Sequence, residues 1–319
     1  TVMFRACRPY YVKEGLAAML CTKWLANKHE LLSQVKQGKV PKLYCSPKLD
    51  GIRCVATLKG LYSRNRLKFD SCKHVHDDVC KLLNTPYRNF HPSKVMLDGE
   101  LYFTGPSLPF EKIVSAVKKT QKHATKQDIA LQRKIKYHIF DLAPVDSIKK
   151  MTYIERMFHL QQMIKNAESK GVLRAHSLVP VPIRSFKTQD ELDNHLEGYL
   201  GRGMEGIVVR TPNGLYEPGK RSKDIMKYVR HLEDEFDIFD VKPGTGKFKG
   251  SLGALCCVTS QGKKFCANPA VDEAMRKDWW KNRKNLIGKK ATVRFTRFTT
   301  NGVPRFPCAK SIRNAGNKR

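Results

Sequence analysis

Ser46-Pro47-Lys48-Leu49-Asp50-Gly51-Ile52-Arg53 decides how this chain is read. From Lys48 to Arg53 an amine, a carboxylate, a position without a side chain and a guanidinium follow in close succession. Lys42–Cys45 ahead of them and Arg53–Leu58 behind them have strand character, and Lys59-Gly60 turns the second run into Leu61–Ser63 as a hairpin. A lysine ammonium is no nucleophile; it must first lose its proton, which takes partial desolvation or a neighbouring cation. Lysine suits that work because its protonation is adjustable, whereas arginine keeps its charge. A bare surface turn uses the same residue types. What separates the two readings is whether distant stretches bring acceptor carboxylates, more cations and an aromatic face.

Four later stretches carry such groups. Val95–Phe103 reads as a strand interrupted by Asp98-Gly99-Glu100; carboxylates are poor strand formers, so a solvent-facing edge or a function has to account for them. Tyr137–Leu142 is a strand holding Phe140, either ordinary core or a face for a planar ligand. Glu205-Gly206-Ile207-Val208-Val209-Arg210 opens a third strand on a glutamate. In Arg221-Ser222-Lys223-Asp224-Ile225-Met226-Lys227-Tyr228, period two sets Lys223 and Lys227 on one face.

The remainder is scaffold. Thr152–Glu155 and Thr188–Glu191 are capping boxes opening helices towards Gly171 and Gly201, with a strand over Leu178–Phe186 between them. Glu14–Gln34 has helical periodicity, with Leu16, Met19, Leu20, Trp24, Leu25, Leu31 and Leu32 along one packing face. Asp77–Leu83 reads as a short helix and Phe110–Thr120 as a basic amphipathic one. His74, His76 and Asp77 have metal-ligand spacing but lack a partner cluster. After Asp234 short strands (Phe236–Val241, Ala254–Thr259, Lys264–Cys266, Ala291–Thr296) alternate with glycine turns, which suits a small β-barrel of the OB type. A helix over Val271–Leu286 interrupts it, with Met275, Trp279 and Leu286 as core.

The chain has 60 Lys+Arg against 29 Asp+Glu, a net charge of +31 spread along its length, so a polyanion such as nucleic acid is the first partner to consider. A content of 41% hydrophobic residues supports a real core and excludes general disorder. The ten cysteines form no Cys-x-x-Cys pair; several fall in apolar runs and read as buried free thiols, which points to a reducing, intracellular setting. No apolar stretch has the length of a membrane span, and a monomer is expected.

The lysine stretch, Asp98-Gly99-Glu100, the Phe140 strand, Glu205–Val208 and the Lys227 strand resemble, in order and spacing, the ATP-dependent polynucleotide ligases. These belong to the covalent nucleotidyltransferases, with NAD-dependent DNA ligases, RNA ligases and mRNA-capping guanylyltransferases. The likeness covers residue 40 onward and is closest to minimal DNA ligases of the phage or viral type. It implies an α+β nucleotidyltransferase domain of the ATP-grasp-like kind, antiparallel sheets with helices, over residues 1–232, and an OB-fold barrel over 233–319. There is no room ahead of Lys48 for a large DNA-encircling domain, and the zinc cysteines and added C-terminal modules expected of NAD-dependent ligases are lacking, which favours ATP.

The resemblance also implies roles. Lys48, Asp50 and Lys227 are the catalytic residues; Arg53, Glu100, Phe140 and Arg305 hold the nucleotide, with Phe140 on the purine and Arg305, near Arg313, on the pyrophosphate. Glu100 and Glu205 hold Mg²⁺ (or Mn²⁺), and Arg64 meets the 5′-phosphate of nicked duplex DNA, a bare turn being its alternative. Lys247 and Lys249 belong to a basic loop for nucleic acid. The implied activity is nick sealing through lysyl-AMP and DNA-adenylate, as used in DNA replication, repair and recombination. The family's Lys-x-Lys strand is broken here, since Val229 stands where the second lysine after Lys227 is expected. An RNA ligase would use the same steps and a capping guanylyltransferase would use GTP. A non-catalytic nucleic-acid-binding protein would explain the charge but not Lys48, Glu100 and Glu205 together.

Overall fold

The computed structural model describes residues 17–88, 91–103, 110–120, 122–144, 151–173, 177–299 and 301–313. The chain divides into two compact units, Thr1–Tyr228 and Val229–Arg319. The first contains β1 (Leu20–Lys23), α1 (Lys28–Lys36), β2 (Leu43–Lys48), β3 (Ile52–Thr57), β4 (Gly60–Ser63), β5 (Lys68–Phe69), α2 (Lys73–Asn84), β6 (Val95–Tyr102) and α3 (Phe110–Lys118). It continues through α4 (Lys126–Lys134), β7 (Lys136–Pro144), α5 (Tyr153–Ser169), β8 (Leu178–Pro180), β9 (Arg184–Phe186), α6 (Gln189–Leu200), β10 (Gly206–Arg210) and β11 (Arg221–Tyr228). Its strands form a five-stranded sheet, β1-β11-β10-β2-β9, and a six-stranded sheet, β5-β4-β3-β6-β7-β8.

Strand periodicity sends alternate residues of the six-stranded sheet to opposite faces. Cys54, Ala56, Leu97, Leu101, Tyr137, Ile139 and Leu142 go to one face and pack on Val75, Val79 and Leu82 of α2, Ile113 and Val117 of α3, and Met157 and Leu160 of α5. The opposite face carries Val55, Met96 and Ala143, and also the charged residues of the site. The five-stranded sheet has its own core, in which Leu43, Cys45, Ile207, Val209 and Met226 meet Leu192, Leu196 and Tyr199 of α6. The chain passes from β2 in one sheet to β3 in the other at Leu49-Asp50-Gly51, so the lysine stretch is the junction of the two. A Cβ on Gly51 would lie 2.4 Å from the Leu101 carbonyl oxygen and 2.8 Å from Glu100 Cγ, so glycine alone allows β3 to start this close to β6.

Three sequence expectations change in this unit. The helix expected over Glu14–Gln34 is β1, a 3₁₀ turn at Trp24–Ala26 and α1, with Glu14 and Leu16 outside the described residues. Tertiary packing overrides the helical pattern: β1 pairs in parallel with β11, Trp24 is buried edge-on against Phe186 at 5.9 Å, and Leu25 is left 58% exposed. The single strand over Leu178–Phe186 is two strands in different sheets, because the prolines at 180 and 182 interrupt one ladder. At Thr152 the capping box forms as expected; at Thr188 the hydroxyl accepts from Glu191 N, but the Glu191 carboxylate accepts from Lys187 N instead of the cap.

The second unit is a closed barrel, β12 (Leu232–Pro243), β13 (Leu252–Val258), β14 (Lys264–Pro269), β15 (Lys290–Phe295) and β16 (Cys308–Arg313), with α7 (Glu273–Lys281) between β14 and β15. Asp272 caps α7, which starts two residues later than expected and ends before a 3₁₀ turn at Arg283–Leu286. Trp279 and Leu286 enter the barrel core, but Met275 is 45% exposed, on the outer face of the helix. Cys256 and Cys266, expected as free thiols, are directly opposite in the β13–β14 register and form a disulfide. Only the strand pairing brings them together, so no short cysteine motif announces the bridge. Among the described cysteines Cys21, Cys45, Cys54, Cys72, Cys80, Cys257 and Cys308 are free; Cys7 lies outside the described residues.

Candidate active site

A cavity of about 280 Å³ opens between the two sheets of the first unit, lined by Lys48, Arg53, Arg64, Glu100, Phe140 and Lys227 together with Arg210 and Arg221. The β2–β10–β11 register builds one wall. Lys48 pairs with Gly206, Ser46 with Val208, and Val208 with Lys227, so alternation turns Ser46, Lys48, Val208, Arg210 and Lys227 to the same side. The Lys48 ammonium donates to the Glu205 carboxylate, and Glu205 N donates to the Lys48 carbonyl at 3.1 Å. The amine thus enters the cavity already hydrogen-bonded to an acceptor that is able to orient it.

The second wall comes from β3, β6 and β7. Arg53 and Glu100 are direct cross-strand neighbours. Burial pushes the Glu100 carboxyl up to about 8, against the opposing pull of Arg53 and Lys48. Asp98, 1% exposed, answers why a carboxylate sits in this strand: it accepts from Arg53 Nε at 2.8 Å and Nη2 at 2.6 Å, and from the Tyr216 hydroxyl at 2.6 Å. Arg53 Nη2 also donates to the Met19 carbonyl, and Met19 N donates to the Tyr216 hydroxyl, so the residues leading into β1 are tied to the floor of the cavity.

Phe140 owes its place to a bulge. Across β6–β7, Asp98 faces Asp141 and Gly99 faces Ile139, which leaves Phe140 as the extra residue. A bulge re-aims a side chain, and here the ring lines the cavity with the Arg53 guanidinium 4.8 Å and the Arg210 guanidinium 5.7 Å from its centre. Behind it, fully buried Asp141 accepts from Arg156 Nε at 2.7 Å, Arg156 Nη2 at 3.1 Å and Arg210 Nη1 at 2.8 Å. Two guanidiniums on one carboxylate leave this buried cluster positive on the cavity side.

The sequence-predicted residues separate as follows. Lys48, Arg53, Arg64, Glu100, Phe140 and Lys227 share the cavity, and Glu205 is bonded to Lys48 at its edge. Asp50 is buried at 8% exposure in the turn after Lys48 and does not line the cavity. Arg305, Lys247 and Lys249 belong to the second unit: Arg305 is buried with its guanidinium 4.8 Å from the Phe306 ring centre, and the two lysines are exposed around the 3₁₀ turn Gly246–Phe248. Val229 lies past the end of β11 at Tyr228, so strand alternation does not carry the Lys227 face on to it. His74 and His76 bond the Ile135 and Thr57 carbonyls, and no cluster of three metal-ligating side chains occurs among the described residues.

Sequence reasoning passed over Arg210, Arg221, Leu20 and Cys21, all of which line the cavity. Arg221 has the same strand parity as Lys227, a signal that was available; the intervening Lys223 does not line the cavity, and the β1–β11 register jumps there from Ser222 to Met226. Nothing in the sequence marks β1 as part of a site.

This arrangement has counterparts. Residues 19–228 match the family model described as the ATP-dependent DNA ligase domain, and residues 243–313 match the DNA ligase OB-like domain. The chain belongs to the ATP-dependent DNA ligase family. A DNA ligase of African swine fever virus (isolate Warthog/Namibia/Wart80/1980) is 28% identical over 81% of this chain and 60% of its own length. A DNA ligase of Pyrobaculum islandicum is 24% identical over 72% of this chain and 38% of its own length. The chain therefore spans less than two thirds of these ligases. Among solved ligase structures, one from a structure–function analysis of Lig E DNA ligases, described as binding DNA with a minimal scaffold, has a TM-score of 0.69 at 22% identity, covering 93% of this chain and 99% of that one. The shared fold is the α+β adenylation unit followed by an OB-like barrel.

Proposed function

We propose that this protein seals nicks in duplex DNA using ATP, through an adenylate carried on Lys48. The observation that carries the reading is an amine bonded to Glu205 in a cavity that also holds Glu100, Phe140 and Lys227. Lys48 Nζ attacks the α-phosphorus of ATP; the N–P bond forms, the P–O bond to pyrophosphate breaks, and the amine proton leaves. Glu205 accepts that proton or orients the amine for the attack. The DNA 5′-phosphate then attacks the lysyl adenylate and frees the amine. In the last step the 3′-hydroxyl attacks the activated 5′-phosphate and expels AMP. Phe140 gives the purine a stacking face, with the Arg53 and Arg210 guanidiniums 4.8 Å and 5.7 Å from its ring centre. Lys227, Arg64 and Arg221 give fixed cations for phosphate oxygens of nucleotide and nick.

The donor set fits a hard divalent ion, Mg²⁺ or Mn²⁺. Such ions take one or two carboxylates and complete their shell with substrate phosphates and water, and Glu100 and Glu205 are the two carboxylates beside Lys48. When bound, the ion neutralises charge on the phosphate oxygens. The exposed Lys247 and Lys249 of the barrel, and the net charge of +31, suit the duplex backbone. Asp50 supports the Lys48 turn from within the fold. The seven free thiols among the described cysteines support an intracellular compartment, and we assign a monomeric state.

Incubation with α-labelled ATP tests the reading. A covalent AMP adduct is expected, absent in Lys48→Ala and discharged by nicked DNA. Labelling by GTP alone would move the protein to the capping guanylyltransferases, and discharge only by nicked RNA to the RNA ligases. No adduct with any divalent metal would leave a nucleic-acid-binding protein.

A further inference from the structure

We propose that Cys256 and Cys266 are a redox-sensitive staple: a bond that small disulfides close and small thiols open, and that sets how firmly the barrel presents its β15–β16 connection to nucleic acid. The two cysteines face each other across β13 and β14 and form a disulfide, whereas the seven other described cysteines are free. In an intracellular chain that keeps its other thiols, a bond of this kind is usually transient and redox-sensing. The two Cα atoms are 4.1 Å apart, the close spacing of opposed residues that exchange no backbone hydrogen bonds. The sulfurs therefore supply a link at a point where the ladder has none.

Both states of the pair fit the fold. Leu255 and Cys257 of β13 and Ala267 of β14 belong to the barrel core, and alternation turns Cys256 and Cys266 away from it. Opening the bond leaves that core in place. Cys256 is 1% exposed but Cys266 is partly exposed, so Cys266 is the side open to exchange.

The bond holds the β13–β14 hairpin and, through it, the neighbouring connection. Just beyond Cys266, β14 closes the barrel on β16 through the pairs Asn268–Cys308 and Pro269–Ala309. At the hairpin tip Gln261 lies against the β15–β16 connection, since a Cβ on Gly302 would be 3.1 Å from Gln261 Oε1. That connection is a narrow extension in which Thr296 N donates to the Arg305 carbonyl at 3.1 Å and Arg305 N to the Arg297 carbonyl at 2.8 Å. Phe298 and Phe306 on it are 44% and 62% exposed. Aromatic faces among basic residues suit a nucleic-acid strand. This consequence rests on the proposed function, whereas the reversibility of the bond does not.

Oxidised glutathione is the probe. The Cys266 thiolate attacks one of its sulfurs; a mixed disulfide forms and one glutathione leaves as the thiol. The Cys256 thiolate then attacks Cys266 Sγ, the protein bond forms and the second glutathione leaves. The two cysteine protons end on the two leaving thiols, so the protein is oxidised as the glutathione is reduced. The bond spans a sequence separation of 10, and a cross-link of that length should suppress opening of the hairpin by at least about tenfold.

The full chain is equilibrated in glutathione buffers from fully reduced to mostly oxidised, and each cysteine is followed by alkylation and peptide mass spectrometry. Trypsin cleavage at the exposed hairpin lysines, Lys263 and Lys264, and affinity for nicked duplex are measured on the same samples. Bonded and dithiol forms should interconvert across these buffers. The dithiol form should be cut about tenfold faster at the hairpin and bind nicked duplex roughly threefold more weakly. Cys266→Ser and Cys256→Ala should both match the dithiol form and ignore glutathione. A bond that persists in reduced glutathione, a bond that never forms, equal cleavage, equal affinity of the two forms, or a glutathione response in Cys266→Ser would overturn the proposal. If neither form binds nicked duplex the proposed function fails, and the glutathione titration and the cleavage rates still decide the staple.

Discussion

Replacing Arg53 by methionine separates what this residue does for the fold from what it does for the cavity. Arg53 makes two bonds to Asp98, one to the Met19 carbonyl and a ring contact with Phe140. Removing it strands a carboxylate that is 1% exposed. Breaking such a buried pair costs roughly 3–5 kcal/mol. The Arg53 side chain is 20% exposed and Asp98 keeps its bond from Tyr216, so the low end applies, about 3 kcal/mol. For a unit of this size that corresponds to a fall in Tm of about 6–12 °C. Arg53→Met/Asp98→Asn removes the stranded charge and should recover most of the loss, to within about 1 kcal/mol. Adenylation should not recover with it, because the guanidinium against Phe140 is still missing; a ring–guanidinium contact of this kind corresponds to about a tenfold effect. Thermal unfolding and transfer of label from α-labelled ATP are measured on all three proteins. An unchanged Tm in the single variant, or wild-type adenylation in the double, would refute the reasoning.

Glu100 titrates at about 8 in the folded chain against an ordinary 4.5. Between those values the folded state keeps a proton that the unfolded chain has lost, so stability should fall as pH rises through that window, and urea midpoints of Glu100→Gln should lose this part of the slope. A Cβ at Gly99 would lie 2.4 Å from the His138 carbonyl oxygen and 2.7 Å from the Tyr137 ring, so Gly99→Ala must part β6 from β7. A loss of about 3 kcal/mol or more is expected in urea unfolding, and a near-neutral result would contradict the pairing. Replacing both Lys247 and Lys249 by alanine should lower the salt dependence of nicked-duplex binding by close to 2 in log–log slope, about 0.9 for each phosphate no longer neutralised. An unchanged slope would take that loop off the DNA.

How much the chain disclosed in advance depends on the range of the interaction concerned. Local order fixed the reactive groups: the Lys48–Arg53 stretch, the carboxylates at 98, 100 and 205, Phe140 and Lys227 were all visible, because short motifs and strand alternation are properties of neighbouring residues. The same alternation gave the correct cavity face for Lys227 and, had it been applied to Arg221, would have given that too. The barrel was legible in its turns, and the Thr152 cap in its hydroxyl and glutamate.

Pairing between distant strands was not legible, and it decided the rest. A one-residue bulge opposite Asp98 and Gly99 turned Phe140 into the cavity. Asp98 became the buried partner of Arg53, and Asp141 the shared partner of Arg156 and Arg210. The apparent helix near the N-terminus was drawn out as β1 along β11, carrying Cys21 to the cavity, and two cysteines on adjacent barrel strands met as a disulfide. Sequence period assigns a residue to a face; only the packed sheets determine what stands across from it, because register and burial depend on contacts between segments that the local pattern does not encode.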